Sequence, residues 1–252
     1  MTAKETIDPE EILKFSKISD EWWDVNGKFS ALHKINPIRV KFIIDKITSH
    51  LNLSNKYTNL LHKVNILDVG CGGGILCEPL ARLNANVTGI DADKKSLNVA
   101  INHAKDEKLS INYTPLTLEE IISAKKKYDV VLAMEIIEHV DNIEHFISQL
   151  SEIINPNGII IFSSINRTIK SFLLAIIGAE YILRWVPTGT HNWNKFITPD
   201  ELKNMLKTNN IQTTETKGLT FNPIKYCWST SNDSSVNYMI AAKPIKKNRR
   251  IF

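Results

Sequence analysis

The run Ile66-Leu67-Asp68-Val69-Gly70-Cys71-Gly72-Gly73-Gly74, followed by an acid at Asp91, constrains this chain more than any other stretch. An apolar segment that closes on an acid and then places four glycines within five positions describes a buried strand turning sharply into a helix. With no side chains on the turn, a ligand can approach backbone N–H groups at a helix start. Asp91 closes Asn86-Val87-Thr88-Gly89-Ile90-Asp91, about twenty residues beyond the loop, where a strand–helix–strand unit puts the tip of its second strand. A carboxylate there can accept from both hydroxyls of a ribose and would repel a phosphorylated one. The two features together point to a nucleoside cofactor on a parallel α/β sheet.

A dinucleotide fingerprint reads Gly-x-Gly-x-x-Gly, and Ile75 occupies its third glycine position here. That disfavours a nicotinamide oxidoreductase. The run Asp68-x-Gly70-x-Gly72-x-Gly74 instead resembles the first motif of class I S-adenosylmethionine-dependent methyltransferases, in which the loop faces an amino acid and a nucleoside. The resemblance implies S-adenosyl-L-methionine as cofactor, with Asp68, Gly70, Gly72 and Asp91 in its site.

Periodicity extends the same reading along the chain. Strands are expected at 64–69, 86–90, 111–114, 128–133 and 158–163, with helices at 74–83, 94–106, 117–124 and 141–154 between them. A helix from Thr198-Pro199-Asp200-Glu201 and strands at 211–217 and 236–241 complete a mostly parallel, seven-stranded Rossmann-like sheet with helices on both faces. Ahead of it, residues 9–24 read as an amphipathic helix ending in Trp22 and Trp23, and Asn36-Pro37 reads as the start of a helix over 37–50. One domain follows: a helical cap (1–50), a cofactor core (62–163), an insertion (164–197) and C-terminal sheet elements (198–245).

Composition mainly excludes. A net charge of +4 with scattered basic residues lacks the clustered cations and stacking aromatics of a nucleic-acid reader. The Lys-Lys-Asn-Arg-Arg cluster at 246–250 suits a solvated end or a contact with anionic lipid. Three cysteines, Cys71, Cys77 and Cys227, are odd in number and lack metal-ligand spacing, which favours a reducing, cytoplasmic setting. The first residues carry neither the apolar core of a signal peptide nor the acid-poor composition of a transit peptide, so the mature chain is expected to begin there. The apolar run over 171–186 is interrupted by Glu180 and is too short to span a bilayer.

Ligands of open α/β sheets bind beyond the carboxyl ends of the strands, so Met134-Glu135-Ile136-Ile137-Glu138-His139-Val140 should border the acceptor of the reaction. In a helix or turn, Glu135, Glu138 and His139 fall at i, i+3 and i+4 and converge. Three roles are open to them. They could hold one magnesium ion, which accepts few protein ligands and fills its octahedron with water or substrate oxygens. His139 could act alone as a general base. Or the carboxylates could cap backbone while His139 lines the pocket.

Several blocks carry a closer resemblance. Glu21-Trp22-Trp23-Asp24, Phe29-Ser30-Ala31-Leu32-His33-Lys34-Ile35-Asn36-Pro37-Ile38-Arg39, the glycine loop, Met134 to Val140, Ser164-Ile165-Asn166-Arg167-Thr168, Gly178-Ala179-Glu180-Tyr181, Pro187-Thr188-Gly189-Thr190-His191 and Val236-Asn237-Tyr238-Met239 resemble the ubiquinone biosynthesis O-methyltransferases over nearly the whole chain. That family implies methylation of catechol hydroxyls on polyprenylated precursors, both an early 2-polyprenyl-6-hydroxyphenol-type intermediate and the late 3-demethylubiquinol. Carried onto matching positions, it implies Arg39 toward the methionine carboxylate, Gly70 at the loop, Asp91 on the ribose and Met134 beside the cofactor. Leu118 and Glu119 would meet the adenine, and Glu135, Glu138 and His139 would form the metal and catalytic group. A prenylated acceptor also implies peripheral work at the inner face of a membrane, alongside other ubiquinone-biosynthesis enzymes. The insertion, flanked by Arg167, Lys170, Arg184 and Lys195, is then either an interfacial hairpin or a lid over the site.

Overall fold

The computed structural model of the chain describes residues 9–53, 59–172, 193–222 and 227–246. Its strands are β1 (Asn65–Val69), β2 (Asn86–Ile90), β3 (Asn112–Thr114), β4 (Tyr128–Met134), β5 (Ile154–Ile165), β6 (Ile211–Asn222), β7 (Cys227–Ser231) and β8 (Asn237–Pro244). They form one eight-stranded sheet in the order β3-β2-β1-β4-β5-β8-β6-β7. The first five are parallel, while β8 runs antiparallel between β5 and β6. The expected seven strands are thus all present, and β7 is an addition that pairs antiparallel with β6 at the sheet edge. Its five residues, mostly exposed, lack the alternation that would have announced a strand.

The helices are α1 (Pro9–Ser16), α2 (Ser30–His50), α3 (Cys77–Ala81), α4 (Lys94–Asp106), α5 (Leu118–Ser123), α6 (Ile143–Ile153), the single turn α7 (Ile169–Ser171) and α8 (Pro199–Thr208). Side chains that terminate the ladders explain several starts. Asp93 accepts from the backbone of Lys95 and Ser96 ahead of α4, while Thr117 with Glu120, and Thr198 with Glu201, close reciprocal capping boxes ahead of α5 and α8.

Two N-terminal expectations are corrected. The helix expected over 9–24 stops at Ser16, and a 3-10 turn at Ser19–Glu21 carries the chain to the two tryptophans. The next helix begins at Ser30 and contains Pro37 rather than starting on it. Pro37 leaves one carbonyl a turn earlier without its helical donor, a loss tolerated because Ile35, Arg39, Phe42, Ile43 and Ile47 are buried along the same helix.

Residues alternate across β1, so that Leu67 and Val69 pack with α5, α6 and α8, and Ile66 packs with α2, α3 and Leu97 of α4. Both faces are covered, and Val130 to Ala133 in central β4 are fully buried. The chain leaves β1 and β4, adjacent in the sheet, toward opposite faces, which opens a crevice at their carboxyl ends. The glycine loop and Glu135 to His139 therefore stand on its two sides.

Of the insertion, residues 173–192 lie outside the described residues, and so do Leu173, Leu174, Ile177, Arg184 and Pro187 to His191 of the lid or membrane reading. The ends of that segment are held together: Trp193 Nε1 donates to the Thr168 carbonyl at 3.2 Å. Its described basic flanks are engaged with the fold. Arg167 pairs with Glu201, Lys170 with Asp233 at 2.7 Å, and Lys195 with Asp141 at 3.9 Å. Among the described residues no helix is long and apolar enough to cross a membrane.

Candidate active site

Gly70, Gly72 and Gly74 all have positive φ, as the sharp exit from β1 demands. The loop is tied to the tip of β2, where Gly70 N and Cys71 N donate to the Ile90 carbonyl at 2.8 and 3.0 Å. Asp91 continues the tie: Oδ2 accepts from Gly72 N and Oδ1 from Asp93 N, each at 2.8 Å. Since a carboxylate has about four acceptor sites, Asp91 keeps capacity for ribose hydroxyls.

Asp68, 2% exposed, receives a hydrogen bond from the Cys77 thiol at 3.2 Å. Burial pushes its pKa up to about 7, against the pull of that thiol and of nearby Arg39. Arg39 is 6% exposed, although an arginine on an early helix ordinarily lies in solvent, and its Nε has no hydrogen-bond partner among the described residues. A buried guanidinium with an idle donor is suited to an anionic group such as the methionine carboxylate. Idle Arg39, spare lone pairs on Asp91 and a side-chain-free loop fit S-adenosylmethionine. Met134 is buried at the end of β4, bordering the same crevice. Leu118 is buried at the start of α5. Glu119, at the same helix start, accepts from Gln149 Nε2 at 2.5 Å and faces His145, both on α6.

The N-terminal cap lies directly on the loop. A Cβ on Gly72 or Gly73 would collide with the Trp22 ring, so these glycines make room for an indole as well as for a ligand. Trp22 stacks on Phe29 with centroids 3.7 Å apart and donates to Ser96 Oγ at 2.8 Å. Trp23 stacks on His103 at 3.5 Å and donates to the Gly73 carbonyl at 2.9 Å. Behind the loop, Tyr113 approaches Gly74, and its hydroxyl is buried with no hydrogen-bond partner among the described residues.

Across the crevice, the expected convergence of Glu135, Glu138 and His139 on one helical face does not occur. Only Ile137–His139 form a 3-10 turn, and Glu135 precedes it with φ of 54°, a left-handed conformation that redirects its side chain. Glu135 Oε1 accepts from Ser163 Oγ at 2.6 Å, and Glu138 Oε2 from Ser164 Oγ at 2.9 Å. Burial, then the Glu135 charge, raises the Glu138 pKa. His139 turns elsewhere, its Nδ1 lying 2.9 Å from Glu11 Oε2 on α1. Burial disfavours the imidazolium, but the Glu11 hydrogen bond and the Glu138 charge outweigh it and raise the His139 pKa; the same bond, working against burial, lowers Glu11 to about 2.

The magnesium group expected from the sequence is not preassembled around a common point. Among the described residues no three or more His, Cys, Asp or Glu side chains are arranged to hold an ion. Glu135 and Glu138 each place one oxygen on a β5 hydroxyl, and the imidazole places Nδ1 on the cap.

A methyltransferase-domain family model matches residues 37–216. The ubiquinone biosynthesis O-methyltransferase of Pelagibacter ubique (strain HTCC1062) is 47% identical over 234 residues, covering 93% of this chain and 97% of the relative. That of Azorhizobium caulinodans is 44% identical over 244 residues, covering 97% and 96%. The chain belongs to the ubiquinone biosynthesis O-methyltransferases. Its fold is shared with magnesium protoporphyrin IX methyltransferase from Synechocystis PCC 6803, at a TM-score of 0.66 and 18% identity over 94% of this chain and 100% of that one.

In this ubiquinone biosynthesis O-methyltransferase, some site partners had no local signal. Glu11 meets His139 across 128 residues, and Ser163 and Ser164 meet the carboxylates from a neighbouring strand. Only the adjacent tryptophans, two large aromatics ending an amphipathic segment, could have flagged a packing role for the cap.

Proposed function

We propose that the chain transfers the methyl group of S-adenosylmethionine to catechol hydroxyls of polyprenylated ubiquinone precursors, at both the early 2-polyprenyl-6-hydroxyphenol-type stage and the late 3-demethylubiquinol stage. Family membership supports the reaction class. The observation that carries the site is the idle, buried Nε of Arg39, whose charge acts on Asp68 just ahead of the glycine loop.

S-adenosylmethionine supplies a methyl group made electrophilic by its sulfonium. On this chain's side, Arg39 would bind the cofactor carboxylate, Asp91 the ribose, and Gly70 to Gly74 would admit it close to backbone, with Met134 alongside. His139 takes the acceptor hydroxyl proton at Nε2, because Nδ1 is engaged by Glu11. Glu138, held by Ser164 and with its pKa raised by burial, lines the acceptor side. Alignment of acceptor and methyl group contributes several kcal/mol beyond deprotonation, on the order of the effects seen for oriented reactants.

The prenyl tail of such an acceptor dissolves in a bilayer, so the enzyme works peripherally, at the cytoplasmic membrane surface where sister enzymes of the pathway meet the same lipid. Flotation with liposomes containing or lacking anionic lipid tests this; protein that stays with the soluble fraction in both cases overturns it. The reaction is tested by radiolabelled methyl transfer to a short-chain demethylubiquinol analogue. Labelled ubiquinol is expected, whereas cofactor binding with no transfer would require another acceptor.

A further inference from the structure

The cap does more than cover the loop. Glu11 and Phe15 lie four residues apart on α1, hence on one helix face, and both meet His139. Glu11 Oε2 is 2.9 Å from Nδ1, and the Phe15 ring meets the imidazole edge-on, with centroids 5.3 Å apart and planes at 90°. The pair is well shielded, with side chains 14% and 12% exposed for His139 and Glu11. Glu11 is itself oriented by Lys14, 2.8 Å from its other oxygen. The charged groups facing the ring are thus Glu11, backed by Lys14, on α1, and Glu135 and Glu138 on its own segment; the β5 residues behind those carboxylates, Ser163 and Ser164, are neutral. Nε2 has no hydrogen bond to a described residue.

An imidazole can accept a hydroxyl proton only if the nitrogen facing the acceptor carries the lone pair, and a carboxylate on the other nitrogen sets that tautomer and the ring orientation. We propose that Glu11 is a positioning residue for methyl transfer: by accepting from Nδ1–H it holds His139 with Nε2 bare toward the acceptor, which makes α1 part of the acceptor side of the site. The inference rests on the reading of His139 as the base. It assigns to a residue far outside every recognised motif a role in the chemical step.

The test compares Glu11→Ala, Glu11→Gln and His139→Ala in the full chain. Histidine ring ¹⁵N NMR, with His139 assigned from the His139→Ala spectrum, reads the tautomer; kcat and cofactor affinity are measured in parallel. At a pH above the raised His139 pKa, where the ring is neutral, the parent protein should show one tautomer, protonated at Nδ1. Glu11→Ala should lower kcat about 10- to 100-fold, leave S-adenosylhomocysteine affinity within about twofold, and mix the tautomers. Glu11→Gln, whose amide oxygen still accepts from Nδ1–H, should recover the single tautomer and part of the rate; it also answers any folding defect in the alanine variant. Unchanged kcat in Glu11→Ala, or a loss of rate with the tautomer unchanged, overturns the positioning role while leaving the methyltransferase reading intact. Full turnover in His139→Ala overturns the base assignment itself.

Discussion

At the scale of single residues, two buried groups near the glycine loop make opposite predictions. Asp68 carries a pKa of about 7 because burial penalises its charge. Between the ordinary carboxylate range and pH 7 the folded chain therefore holds a proton that the unfolded chain has released, so the contribution of Asp68 to stability falls as pH rises through that window. Asp68→Asn should flatten this decline: in urea denaturation its stability relative to the parent should rise between pH 4 and pH 8, by at most roughly 4 kcal/mol. Parallel curves would remove the raised pKa. Arg39 has the converse property, since its Nε has no partner to lose on substitution. Arg39→Lys should leave the melting temperature nearly unchanged yet weaken S-adenosylhomocysteine binding about tenfold or more, because an ammonium cannot reproduce the guanidinium fork. Calorimetric titration with unaltered affinity would take Arg39 out of the site. Of these two, Asp68 was legible from its place before the glycines, whereas the burial of Arg39 followed only from the resemblance. Glu119 stays ambiguous in the sequence because an acid in the first turn of a helix looks the same whether it faces a ligand or only neighbours such as Gln149 and His145 of α6.

Elements explain where reading by pattern failed. Asn36-Pro37 reads as a helix start because proline is ordinarily excluded from interiors, yet α2 runs through Pro37 from Ser30. Pro37→Ala should accordingly stabilise the protein by about 1–2 kcal/mol, the helix propensity gained less the entropy restored to the unfolded chain; a lower midpoint in denaturation would mean the ring is required where it sits. The 3-10 turn before Trp22 matters more. It sets one indole over Gly72 and Gly73 and the other against His103. Trp22→Ala deletes the Phe29 stack and the Ser96 hydrogen bond together, and should cost about 3 kcal/mol or more. A loss below about 1 kcal/mol would show that the cap is only loosely docked.

For the molecule as a whole, ligand binding couples to every element that grips the crevice. At about 100 times its dissociation constant, S-adenosylhomocysteine should stabilise the fold by roughly 2.7 kcal/mol and raise the melting temperature by about 5–10 °C. NADH should produce no shift, and a shift with NADH instead would reverse the argument drawn from Ile75. What the sequence determined by itself was local or near-local: the strand–glycine–helix turn, the acid one strand later, the alternation of strands with amphipathic helices, and the capping residues, all written in neighbours along the chain. These are enough for a mostly parallel sheet and the class of cofactor. The tertiary structure alone decided which distant groups meet: the cap on the glycine loop, the carboxylates of Glu135 and Glu138 on β5 serines, and Glu11 on His139. Spacing along the chain carried none of these pairings, because a side chain's partner is set by which competing contact is nearest in space and not by its distance along the chain.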